Sequence, residues 1–227
     1  MRLVALCLGW IWAACAHAGD IVAVLERSHQ MRLHQFEAAS ADSARTARIR
    51  TTFERLIAST ASPPDVELRV VTGPLNAEVL LGRVLVVSEA AGDLPEGERL
   101  LLLAHELGHI VLGHWQALGA LYRTHIPGEV RPETTDPVAG VLGLQAHRMA
   151  HRHEFEADAW GYRLLRRLGF GIEHAAALLM RRGATVDTAT HPATRRRLAQ
   201  MRVIDTQIDH PDLASGHAAS LVAERDR

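Results

Sequence analysis

Residues 105–109 read His-Glu-Leu-Gly-His. Two imidazoles four positions apart lie one turn apart on the same face of a helix, so both can reach one ion. Zinc accepts imidazole nitrogen at ~2.0–2.1 Å. Glu106 follows the first ligand and projects beside the metal, where a carboxylate can take a proton from a water whose pKa zinc lowers to about 7. The alternative for His105, Glu106 and His109 is a solvated helix face. The flanks argue against it: Leu100 to Ala104, Leu107, Ile110, Val111 and Leu112 make the segment apolar around most of its circumference. A helix of that kind is buried. Polar groups inside it need partners, and a metal supplies them.

A catalytic zinc needs a third protein ligand and one open position. The candidates downstream are His147, His151, His153, Glu154, Glu156 and Asp158. Glu154 and Asp158 are four apart and share one helix face, whereas Glu156 points roughly to the other side and reads as surface charge beside Arg152 and Arg163. A carboxylate from a second buried helix completes the site, and Asp158 then orients a ligand imidazole through its free N–H. His147 and His151 are also four apart; a second metal site and a solvated or edge-packed pair both stay open for them. A third histidine on an extended motif would require Gly at position 112 and His at 115, where the chain has Leu112 and Trp115.

The elements that position these residues follow from periodicity. From Asp20 to about Thr60 the apolar residues recur at helical spacing, with a break predicted at Ser40–Ser43. Val66 to Thr72 and Val84 to Ser88 read as strands, with a short one at Glu78 to Leu81. The spacing predicts a zinc helix from Pro95 or Glu96 to about Leu118, and a loop or lid over Arg123 to Gly140, which carries Pro127, Pro132 and Pro137. Helices follow at Val138–Leu168 and Ile172–Arg182. His191-Pro192 opens a last helix to about Ile204, with Pro192 in its first turn. The fold class is α+β, mostly helical with a small sheet.

Three motifs in order resemble a known group. H-E-x-x-H, then Glu154-x-x-x-Asp158 within His-Glu-Phe-Glu-Ala-Asp, then His191-Pro192 opening a late helix, is similar to the CAAX-prenyl-protease/HtpX/BepA type of gluzincin peptidase, over Ser43 to Met201. The resemblance implies a zincin-like metallopeptidase domain with one Zn2+ per chain on His105, His109 and Glu154, and Glu106 as general base. It implies that Asp158 bonds a ligand histidine, His105 in particular. It implies that His191 stabilises the oxyanion or caps the metal, and that Arg197 assists. The strand before the zinc helix would take an extended polypeptide substrate by strand addition. The chain departs from the group in two ways. The glycine pair expected after Asn76-Ala77 is replaced by Glu78-Val79-Leu80-Leu81-Gly82-Arg83, and there is no room for a repeat domain. A minimal catalytic domain of this kind would take any adaptor as a separate protein.

Composition sets the remaining bounds. The chain has 227 residues, 48% of them hydrophobic, and a formal net charge of -1. That supports one cored domain and no bulk field for nucleic acid. Arg2, the apolar run Leu3 to Ala14 and the small-x-small sequence Ala16-His17-Ala18 read as a secretory signal peptide. Cleavage after Ala18 removes Cys7 and Cys15, the only cysteines, and leaves imidazoles and carboxylates as the metal donors. The division is a signal peptide at 1–18, an N-terminal helical segment at 19–60, the metallopeptidase domain at 61–204 and a polar tail at 205–227. The expected location is the bacterial periplasm. Acylation at Cys15, the second-ranked processing, would add a membrane anchor. The function expected is a zinc-dependent endopeptidase acting on exported or envelope proteins in quality control. Its rivals are a latent, zinc-stabilised binding or chaperone-like module and a metal-free structural domain.

Overall fold

In a computed structural model, the described residues are 19–181, 183 and 185–210. The predicted signal peptide, both cysteines and residues 211–227 lie outside them. The N-terminal periodicity resolves into α1 (Ile21–His34) and α2 (Ala44–Ala58). Ser43 separates them by capping α2, its hydroxyl accepting from the Thr46 N–H at 3.1 Å.

Three strands follow: β1 (Glu67–Val71), β2 (Ala77–Leu80) and β3 (Val84–Ser88). The order is β1-β3-β2, with β1 parallel and β2 antiparallel to β3. The free side of β1 is covered by residues 37–39, through Ala39 N–H to Val70 O at 3.0 Å and Thr72 N–H to Glu37 O at 2.9 Å. β2 is the other edge; the strand directly before the zinc helix, Val84–Ser88, predicted as the edge that takes a substrate, is paired on both sides and cannot add a further strand. Ser88 N–H donates to Asn76 O at 2.9 Å. Because antiparallel partners alternate, Glu78 and Leu80 face β3, while the N–H and C=O of Ala77 and Val79 face outward. The next outward N–H, at Leu81, is taken by His29 Nδ1 of α1 at 3.0 Å.

The centre of the molecule is α3 (Glu96–Val111), buried at every position from Gly97 to Gly108. It packs on α2, β2, α4 (His114–His125), α6 (Ala139–Arg167) and α7 (Ile172–Arg181). The chain then closes with α8 (Thr194–Asp209) against α6 and α7. The predicted zinc helix to Leu118 is in fact two helices. Gly113 adopts φ +67, a left-handed residue that ends α3 and starts α4 in a new direction. The predicted lid is shorter than 123–140: α4 runs to His125, and Pro132–Thr135 forms the single turn α5. Pro192 lies before α8 rather than in its first turn, and α8 runs five residues beyond Ile204 to Asp209.

Two glycines set how closely α3 and α6 cross. A Cβ on Gly161 would sit 2.9 Å from the His105 backbone nitrogen and 3.1 Å from the Ala104 carbonyl carbon. Gly108 meets the Ala157 backbone at 3.1 Å in the same way. Neither neighbour can rotate aside. Gly161→Ala is therefore expected to lower stability by about 1–3 kcal/mol through overpacking. Gly143→Ala, on the same helix with nothing within 4 Å, should be neutral or stabilising by up to about 1 kcal/mol. Denaturant midpoints measure both, and equal midpoints for the two variants would contradict a tight crossing.

Candidate metal centre and active site

The close crossing brings the two predicted halves of the site together. His105 and His109 project from α3 with their Nε2 atoms 3.2 Å apart. Glu154 of α6 places Oε1 3.3 Å from His109 Nε2 and Oε2 3.6 Å from His105 Nε2. Two donors at ~2.0–2.1 Å from one tetrahedral centre are about 3.3 Å apart, so the spacing fits a zinc ion. The chemistry fits as well. Glu154 Oε2 is buried and accepts no hydrogen bond, although Arg197 Nη1 lies 3.3 Å away. Such an oxygen is costly unless a cation takes it up.

Asp158 is fully buried and places Oδ1 2.9 Å from His105 Nδ1. A carboxylate only accepts, so His105 carries its proton on Nδ1 and turns a bare Nε2 toward Glu154. Arg197, from α8, holds Asp158 with a two-pronged pair, Nε to Oδ2 at 2.7 Å and Nη2 to Oδ1 at 2.6 Å. Its side chain is only 11% exposed. Its donors are thus directed at Asp158 and Glu154, whereas the sequence suggested an oxyanion partner. Burial lowers the His105 pKa, but Glu154 and Asp158 outweigh it and hold the ring above its ordinary value. Burial likewise pushes the Glu154 carboxyl up, while His105, the His109 hydrogen bond and Arg197 bring it well below the usual carboxylate range. The point between these groups selects positive charge.

Glu106, His191 and the outward edge of β2 all border one cavity of about 480 Å³. Glu106 is buried at 8% exposure. His191 Nε2 stands 3.8 Å from Glu154 Oε1. Its loop is tied to α6 by His147, whose Nδ1 meets Ala189 O at 2.8 Å, and by His151, whose Nε2 meets Thr188 O at 2.7 Å. That is the use the structure gives this pair. The groups of potential metal donors found among the described residues do not include it.

Sequence reasoning missed a second cluster. His114 Nδ1 lies 2.8 Å from His109 Nδ1, and His114 Nε2 lies 3.2 Å from Glu156 Oε2. His153 stacks on His114 at 3.9 Å with 2° between the ring planes. Burial, and then the neighbouring histidines, push His114 down to about 3; burial and Arg152 push His153 down to about 4. Glu156 therefore has a partner beyond the predicted arginine, although Arg152 Nε is also 3.6 Å away. His153 and Glu156 were among the candidate donors in the sequence, but His114 was not; its one signal is that it follows Gly113, at a hidden helix end.

No curated protein matches the chain. Among solved structures, the crystal structure of S. mikatae Ste24p is similar at 16% identity with a TM-score of 0.47, covering 80% of this chain and 56% of that one. The chain thus spans little more than half the length of that protein. A model of peptidase family M48 matches residues 43–205, nearly the span over which the three motifs carried the resemblance. That match covers well over half of the sequence and includes every residue of the His105–His109–Glu154 cluster, and on it the chain belongs to peptidase family M48.

Proposed function

We propose that this chain is a zinc-dependent endopeptidase that cleaves extended segments of exported or envelope proteins, in the service of protein quality control. The observation that carries the reading is the convergence of His105, His109 and Glu154 beside Glu106, in a cavity bordered by an open strand edge. His105, His109 and Glu154 would hold zinc, which when bound polarises a carbonyl and acidifies water. Ala77 and Val79 hold the substrate main chain by strand addition. Glu106 takes the proton of the attacking water and delivers it to the leaving amine. Asp158 keeps His105 in the ligating tautomer, and Arg197 keeps Asp158 in place. His191, at the cavity rim, donates to the developing oxyanion. Export is supported by Arg2, the apolar run after it and Ala16-His17-Ala18. Among the described residues, no helix is long and apolar enough to cross a membrane.

A latent state is a second reading with its own observation, because the His147 and His151 contacts pin His191 over Glu154. One experiment separates the readings. The purified full chain is expected to carry one zinc and to cleave unfolded casein. A chelator should abolish cleavage, and added zinc should restore it. Stoichiometric zinc without cleavage favours the latent module, and a protein that takes up no zinc overturns both.

A further inference from the structure

The two ligand imidazoles are held differently. His105 is oriented directly by the buried carboxylate of Asp158. Among the described residues no carboxylate meets His109 Nδ1; it meets the ring of His114 instead. We propose that His114 and Glu156 form a positioning relay that fixes the tautomer and ring orientation of His109, so that each ligand histidine is governed by its own carboxylate. The inference rests on reading His105, His109 and Glu154 as a zinc site.

The proton positions follow from donor and acceptor chemistry. A carboxylate accepts only, so the 3.2 Å contact with Glu156 Oε2 puts a proton on His114 Nε2. Neutral His114 then has a bare Nδ1. The 2.8 Å contact between the two Nδ1 atoms needs one proton, which therefore belongs to His109. This tautomer leaves His109 Nε2 free to bind an ion, which takes the place of the proton by which that nitrogen bonds Glu154 Oε1, 3.3 Å away. The fold supports each link. Gly113, at φ +67, turns the chain so that His114 opens α4 beside the end of α3. The parallel stack on His153 fixes the plane of the His114 ring. His114 itself is 6% exposed, so water competes little for its nitrogens.

His114, His153 and Glu156 also lie close enough to suggest a second cation site. The stack argues against it. Lone pairs of imidazole lie in the ring plane, and rings only 2° from parallel direct them side by side rather than toward one point. Turning His114 to meet an ion would break its bond to His109.

The test is zinc affinity of the full chain, measured by competition with chelators of graded strength. His114→Phe keeps a flat ring against His153 and removes both nitrogens; it should weaken zinc binding about 10–100-fold. Glu156→Ala changes a side chain that is 46% exposed, so its folding is not at risk. It should weaken binding in the same direction by less. His114→Gln, which retains an acceptor for His109, should recover part of the loss. The chelated His114→Phe protein should melt close to chelated wild type, which separates positioning from folding. Unchanged zinc affinity in both His114→Phe and Glu156→Ala overturns the relay alone. Two zinc ions in wild type falling to one in His114→Phe overturns it in favour of a second metal site. Wild type that takes up no zinc overturns the site reading and the relay with it.

Discussion

Glu106→Gln is expected to keep its zinc and to lose peptide hydrolysis. The ligand set does not include Glu106, and its side chain borders the cavity beside His105. Glutamine preserves the size and the packing of the buried α3 while removing the basic oxygen. An amide has no proton affinity suited to taking a proton from water at neutral pH. General acid–base contributions of this kind are worth about 10²–10⁴-fold in kcat. If substrate binds through the β2 edge as proposed, that binding is untouched, and KM should hardly move. Elemental analysis of the variant and its turnover of unfolded casein measure both halves. A zinc-loaded Glu106→Gln protein with wild-type turnover would remove Glu106 from the mechanism.

The second large effect is structural. Arg197→Met is expected to lower stability by about 3–5 kcal/mol, the cost of stranding a buried charge. Asp158 is fully buried, and among the described residues Arg197 supplies two of its three polar contacts. Removing the guanidinium also frees Asp158 to swing from His105, so zinc should bind more weakly. Asp158→Asn in the same chain should return part of the lost stability, because the stranded charge is then gone. Thermal or denaturant unfolding of the two proteins measures this. The result also decides what Arg197 does. A residue that acts on the oxyanion would lower kcat with stability intact; a positioning residue loses stability and metal affinity together.

Much of this was legible before any coordinates. β3 runs over the predicted Val84–Ser88 because five consecutive β-branched, aliphatic and small residues have no competing helical period. The residues that converge as His105, His109 and Glu154 were legible because four-residue spacing on a helix is a geometric statement, and both α3 and α6 are continuous through their motifs. What was not legible depended on contacts between elements. The apolar run through Leu112, Trp115 and Leu118 continues the helical period, so the break at Gly113 could be seen only from its left-handed backbone. That break makes His114 a neighbour of His109, and a periodicity argument cannot bring two helices around one glycine. Glu156 read as surface charge because its partner, His114, is 42 residues away in sequence. Arg197 was placed near the chemistry by its motif, yet its direction, toward Asp158, is set by how α8 lies on α6.

The shortness of β2 limits how firmly a chain added to it, as proposed, can be gripped. Only Ala77 and Val79 present outward peptide groups before His29 occupies the next one at Leu81. That offers about four main-chain hydrogen bonds, each worth a net ~0.5–1.5 kcal/mol. The sum, about 2–6 kcal/mol, corresponds to dissociation constants from tens of millimolar to tens of micromolar, before the cost of ordering the peptide is counted. A short free peptide would rarely be held long enough to react. A long unfolded chain presents many overlapping registers at once, and a tethered one arrives at high effective concentration. Discrimination would then come from how long a stretch of polypeptide stays unfolded within reach, with little regard for which residues it contains.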